Sequence, residues 1–114
     1  MEKFEYFIRK IVAASSIDDT HPASIISLDS DSEFYSISLL DFFEYLNNKY
    51  GLNIEDCEEQ EWSIINYSQV LEDFDFFISK INQELTEFES GFLTDFKELM
   101  NVAIEKQMSI FFIL

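Results

Sequence analysis

Only two glycines and one proline punctuate 114 residues. That scarcity is the tightest limit on what the chain can fold into. A sandwich or barrel of many short strands reverses direction every few residues and draws on Gly and Pro to do so. Thirteen phenylalanines and a hydrophobic share of 47% are also more apolar material than a disordered acidic chain carries. The expectation is one compact all-α domain around a real core.

Charge narrows the function. Seven Lys+Arg against 23 Asp+Glu give a formal net charge of −16, which repels phosphate backbones and anionic headgroups. Nucleic acid and membrane surfaces are therefore poor partners, and basic protein surfaces are good ones. Cys57 is the one cysteine and His21 the one histidine, so neither an internal disulfide nor a zinc site of the usual kind can be built. The opening MEKFEYFIRK is too polar for a signal peptide, and no apolar run approaches the roughly 18 residues of a spanning helix. A soluble, cytoplasmic protein in a reducing compartment is expected.

Phe4, Phe7, Ile8, Ile11 and Val12 recur at the spacing of one helical stripe and predict a first helix. Periodicity then lapses from Ser15 to Ser36, where Asp18-Asp19, His21-Pro22, Asp29 and Asp31 interrupt scattered apolar residues, which predicts a long ordered loop. Ser38-Leu39-Leu40-Asp41 has an S-x-x-D pattern that starts a second helix at Ser36 or Ser38. Ile37, Leu40, Phe43, Leu46 and Tyr50 run down it, and Gly51 is its C-cap. An acidic connector over 55–61 precedes a short helix at Trp62, Ile64 and Ile65. Val70, Phe74, Phe77, Ile78, Ile81 and Leu85 predict a third long helix after a Ser68 cap. Phe92, Phe96, Leu99 and Ala103 continue at helical spacing. The last five residues, Ile110-Phe111-Phe112-Ile113-Leu114, fit either a helix end or a short strand. Ile8, Ile11, Leu40, Phe43, Leu46, Phe74, Phe77 and Ile78 form the expected core.

Few constellations carry chemistry. Asp29, Asp31 and Glu33 open like a calcium loop, but Phe34 and Leu40 occupy the positions of its glycine and closing glutamate. Cys57 lies among carboxylates that raise a thiol pKa, which speaks against a Cys57–His21 nucleophile and base. No convergent acid, base, nucleophile or metal set can be named, so an enzyme ranks behind a carrier or a binding protein.

The stretch from Ser36 to Asp56, with Leu46, Tyr50 and Ile54 at the matching intervals, resembles the acyl carrier protein family. The resemblance runs over about residues 1 to 80. It implies an acyl-carrier-like four-helix bundle over 1–82, with residues 83–114 as a C-terminal helical extension packed on the same domain. It also implies a 4'-phosphopantetheine on Ser36 holding an acyl chain as a thioester, with the second helix docking basic patches of a synthase or acyltransferase. Asp31, Glu33, Asp41, Glu44, Glu55 and Asp56 are the implied partner-binding acids. A serine at a helix start suits the role, because its phosphodiester would sit at the positive end of the helix dipole. Between Lys10 and Lys49 the chain has seven acidic residues and no Lys or Arg, a field that steers cationic partners. Glu33-Phe34-Tyr35 stands where the family has Gly-x-Asp, which favours Ser36 or Ser38 as a plain helix cap. The alternative is a non-carrier binding module, an immunity protein or inhibitor that masks a basic toxin or enzyme surface. Thirteen phenylalanines favour a filled core over the channel an acyl chain needs.

Overall fold

The computed structural model describes residues 9–55, 58–81 and 84–114. The chain is not all-α. It forms a mixed α/β domain with a four-stranded antiparallel sheet, β1 (Arg9–Ala14), β2 (Ser24–Leu28), β3 (Glu59–Trp62) and β4 (Ser109–Ile113), and four helices, α1 (Asp31–Leu39), α2 (Phe42–Tyr50), α3 (Tyr67–Lys80) and α4 (Glu87–Glu105). The expected four-helix bundle is therefore corrected. Strand order is β2-β1-β4-β3, so β4, from the segment read as an extension, lies inside the sheet.

The first predicted helix is a strand where it can be described. β1 is central, pairing Ile11 with Ile26 on one side and with Phe112 on the other. Ile11 and Ala13 face the helices, while Val12, Ala14 and Phe111 form a second small cluster on the opposite face with Ile17 packed on it. A strand buried on both faces has no alternation to betray it, and its apolar run fits a helical template equally well. Phe4, Phe7 and Ile8 lie outside the described residues. The predicted loop contains β2, whose Ile26 and Leu28 face the core and whose Ile25 points outward. The short helix at Trp62 is instead β3, and the ambiguous C-terminus is the strand β4.

The second helix begins earlier than Ser36 and is broken in two. Ser30 caps α1, its hydroxyl accepting from Glu33 N–H at 3.2 Å while a Glu33 oxygen accepts from Asp29 N–H at 2.8 Å. The chain turns at Asp41, whose φ of 62° is left-handed, and its carbonyl then accepts Tyr45 N–H to open α2. Gly51, with φ 68°, closes α2, which is the expected C-cap. The third long helix is α3, but its N-cap is Asn66 and not Ser68, and it ends at Lys80, before Leu85. Thr86 and Glu89 start α4 with a reciprocal capping box, each side chain satisfying the other's orphan amide.

α4 packs across β2, β1 and β4, and α1 lies against β2 and α4. Between the layers sit aromatic rings. Phe96 meets Phe42 at 4.9 Å, Phe74 at 5.9 Å, Phe92 at 6.1 Å and Phe112 at 6.1 Å. Phe42, Phe74, Phe96 and Phe112 are all fully buried. Of the expected core, Ile11, Leu40, Phe43, Leu46 and Phe74 are buried, Phe77 and Ile78 are half-buried, and Ile8 is outside the described residues. Phe96→Ala should lower stability by about 3–5 kcal/mol in urea unfolding, whereas Leu39→Ala, at a side chain 81% exposed, should change it by no more than about 0.5 kcal/mol. Amide hydrogens of β1 and β4 should exchange most slowly, because both strands are paired on two sides.

Candidate partner-binding surface

Ser36 is the sixth residue of α1, well past its N-terminus, because Ser30 and not Ser36 caps the helix. The hydroxyl is half-buried and donates to Glu89 Oε2 at 2.5 Å. Glu89 thus has two tasks: one oxygen closes the α4 capping box and the other holds α1. The Ser36 hydrogen bond, aided by the Thr86 N–H, holds the Glu89 carboxyl below its ordinary value. The serine expected to anchor a prosthetic arm ties two helices together. Ser38 is likewise inside α1, donating to the Phe34 carbonyl at 3.0 Å.

The acids expected to bind partners divide into two groups. Asp31 is paired with Arg9, whose guanidinium also lies 4.5 Å from the centre of the Phe34 ring, and Glu33 is committed to the α1 cap. Asp41, Glu44 and Glu55 are exposed, and their side chains make no ion pair or hydrogen bond among the described residues. Asn47 fixes the loop that carries Glu55, its amide exchanging hydrogen bonds with Ile54 N–H at 2.7 Å and the Ile54 carbonyl at 3.0 Å. Asp56, together with Cys57, lies outside the described residues.

Two apolar residues belong with the free acids. Tyr35 is 54% exposed and Leu39 81%, and a spacing of four puts both on one outer stripe of α1. Asp41 follows Leu39 at the corner, and Glu44 sits in the first turn of α2. The α1–α2 corner therefore carries an exposed apolar pair and, two and five residues after Leu39, two uncommitted carboxylates, on helices fixed to the core by Phe34, Ile37, Leu40, Phe42 and Phe43. The sequence signal for it was Ser30-Asp31-Ser32-Glu33, an S-x-x-E start that sets the helix phase and turns Tyr35 and Leu39 outward. At the far edge of the sheet β3 carries Glu59 and Glu61, charges that discourage edge-to-edge pairing.

Among the described residues no group of three or more His, Cys, Asp or Glu side chains could hold a metal ion, and no helix is long and apolar enough to cross a membrane. Comparison with protein-family models, with curated proteins and with solved structures gives no match.

Because Glu89 ionises more readily folded than unfolded, its link to Ser36 stabilises the protein fully above the ordinary carboxyl value of 4.5. That stability is lost as pH falls through the lowered folded value. Ser36→Ala should cost about 1 kcal/mol at pH 7 and flatten the acid limb of a stability–pH profile measured by urea unfolding from pH 7 to pH 3. An unchanged profile would show that the hydrogen bond contributes nothing.

Proposed function

We propose that this chain is a small acidic binding module that covers a basic surface on a partner protein, with the outer side of α1 and the start of α2 as its contact face. The observation that carries this reading is the exposed pair Tyr35 and Leu39 next to Asp41 and Glu44. Apolar anchors within a charged setting supply affinity where they are desolvated, and the charges supply speed and selectivity. A net charge of −16 draws a cationic partner from beyond contact range, and that attraction fades with salt. The fitting partner is a basic protein with an apolar recess that accepts Leu39.

The carrier reading is supported less well. It wants a hydroxyl in solvent at a helix start, and Ser36 has its hydroxyl on Glu89 in the body of α1. It also wants space between helices for an acyl chain, where the rings of Phe42, Phe74, Phe92 and Phe96 pack against one another, mostly edge to face. Incubation with a promiscuous phosphopantetheinyl transferase and coenzyme A should leave the intact mass unchanged. A gain of one arm that Ser36→Ala abolishes would restore the carrier function.

The binding reading is tested by affinity capture followed by kinetics on the purified partner. Asp41→Lys with Glu44→Lys should slow association at least tenfold at low salt, beyond the effect of Glu72→Lys with Asp95→Lys, which changes net charge equally at exposed sites on α3 and α4. Leu39→Ala should speed dissociation about tenfold, the equivalent of about 1.4 kcal/mol. Equal effects of the two charge reversals would place the contact face elsewhere.

A further inference from the structure

A groove of about 240 Å³ runs between α2 and α3, lined by Tyr45, Lys49, Asp73, Phe76, Phe77 and Lys80. Its wall includes the Tyr45 and Phe77 rings, which stack on each other at 4.4 Å with 19° between their planes. Phe76 forms the lip and is 60% exposed, with the Lys80 ammonium 4.5 Å from its ring centre. Apolar walls of this kind invite a planar apolar ligand.

Cations gather here in a chain that has seven Lys+Arg in all. Lys80 forms no ion pair among the described residues. Lys49 reaches Asp73 only at 3.9 Å, and that carboxylate is already occupied by the Tyr50 hydroxyl at 3.1 Å and the Gln69 amide at 2.9 Å. Lys97, in contrast, is paired with Asp75 at 3.1 Å. The Tyr45 hydroxyl makes a long 3.4 Å contact with the Tyr50 hydroxyl, in which Tyr45 is the donor because Tyr50 gives its own proton to Asp73. Two incompletely neutralised ammonium groups and one hydroxyl therefore border a single aromatic slot.

We propose that this groove binds a small aromatic monocarboxylic acid, its ring on the Tyr45–Phe77 wall beside Phe76 and its carboxylate between Lys49 and Lys80. Size limits the ligand to a single ring, since the groove's 240 Å³ is below the roughly 300 Å³ at which pockets for drug-sized ligands begin. Charge limits it to one negative group, because each further anion adds repulsion from the −16 of the whole chain without a further cation to meet it. The site is separate from the α1 face and does not depend on it.

The test uses the full chain, labelled with nitrogen-15 and titrated with 3-phenylpropionate, and in parallel with the neutral 3-phenylpropionamide of the same shape. Saturable amide shifts are expected over residues 45–49 and 73–80, with binding at least tenfold weaker for the amide. Lys49→Gln with Lys80→Gln, both on exposed side chains, should weaken the acid at least tenfold, and Phe76→Ala should weaken acid and amide alike. Absence of saturable shifts, shifts confined to other residues, or equal binding of the acid by wild type and the double lysine variant would each overturn the proposal.

Discussion

The fold depends on a closed circuit of aromatic contacts. Phe42 on α2 meets Phe96 on α4 at 4.9 Å, Phe96 meets Phe112 on β4 at 6.1 Å, and Phe112 meets Trp62 on β3 at 6.4 Å. Trp62 then stacks on Tyr50 at 5.0 Å, Tyr50 meets Tyr45 at 6.2 Å, and Tyr45 returns to Phe42 at 6.4 Å. Four of the six links join different elements, and the other two lie within α2. Each pair contributes about 0.5–1.5 kcal/mol beyond simple burial, but the topological effect is larger. The circuit fixes β3, a strand of four residues at the sheet edge, both to β4 beside it and to α2, the helix that precedes it in the chain.

Such a core must also hold together a chain that repels itself. With a net charge of −16 the compact state is opposed by long-range repulsion, and no charged side chain is buried among the described residues. Placement relieves part of the strain. Asp31 and Glu33 lie in the first turn of α1, Glu44 in that of α2, and Glu87 and Glu89 in that of α4, where each anion gains about 0.3–1 kcal/mol from the helix dipole. Lys49 and Lys80 occupy the last turns of α2 and α3, the ends that favour cations. The α2–α3 groove is cationic because the last turns of both helices border it.

How much of this was legible in the residues follows from which faces each element buries. Helices α3 and α4 have one wet side, so Val70 and Phe74, and Phe92, Phe96 and Leu99, announced them. β1 and β4 are covered on both sides, so Ile11-Val12 and Ile110-Phe111-Phe112 lost the alternation that marks a strand. The shortage of glycine misled for a different reason. Three sharp turns are made at Asp41, Asn66 and Gln107, with φ of 62°, 59° and 56°, so polar side chains adopt the left-handed conformation that glycine would otherwise supply. A four-stranded sheet with a single hairpin needs few such turns. In the candidate surface, Asp41, Glu44 and Glu55 were identified as acids free for a partner, whereas Asp31 and Ser36 are engaged by the tertiary neighbours Arg9 and Glu89, and Glu33 closes a local cap whose S-x-x-E pattern lay in the sequence.

The break at Asp41 explains why that surface exists. Residues advance by about 100° around an α-helix. On α1 the buried positions Phe34, Ile37 and Leu40 step by three, drifting slowly around one side. On α2 the buried positions are Phe42, Phe43 and Leu46, and in one uninterrupted helix they would point about 180° from the α1 set. A continuous helix from Asp31 to Tyr50 could therefore bury one set only. The left-handed residue at Asp41 reorients the chain so that both sets enter the same core. Once Leu40 and Phe42 are both turned inward, Leu39 is left on the outer side of α1 in line with Tyr35, next to the acid that makes the turn. The same backbone reversal that completes the aromatic core sets the apolar pair beside the carboxylates, so the contact face is a direct consequence of how this chain solves its packing.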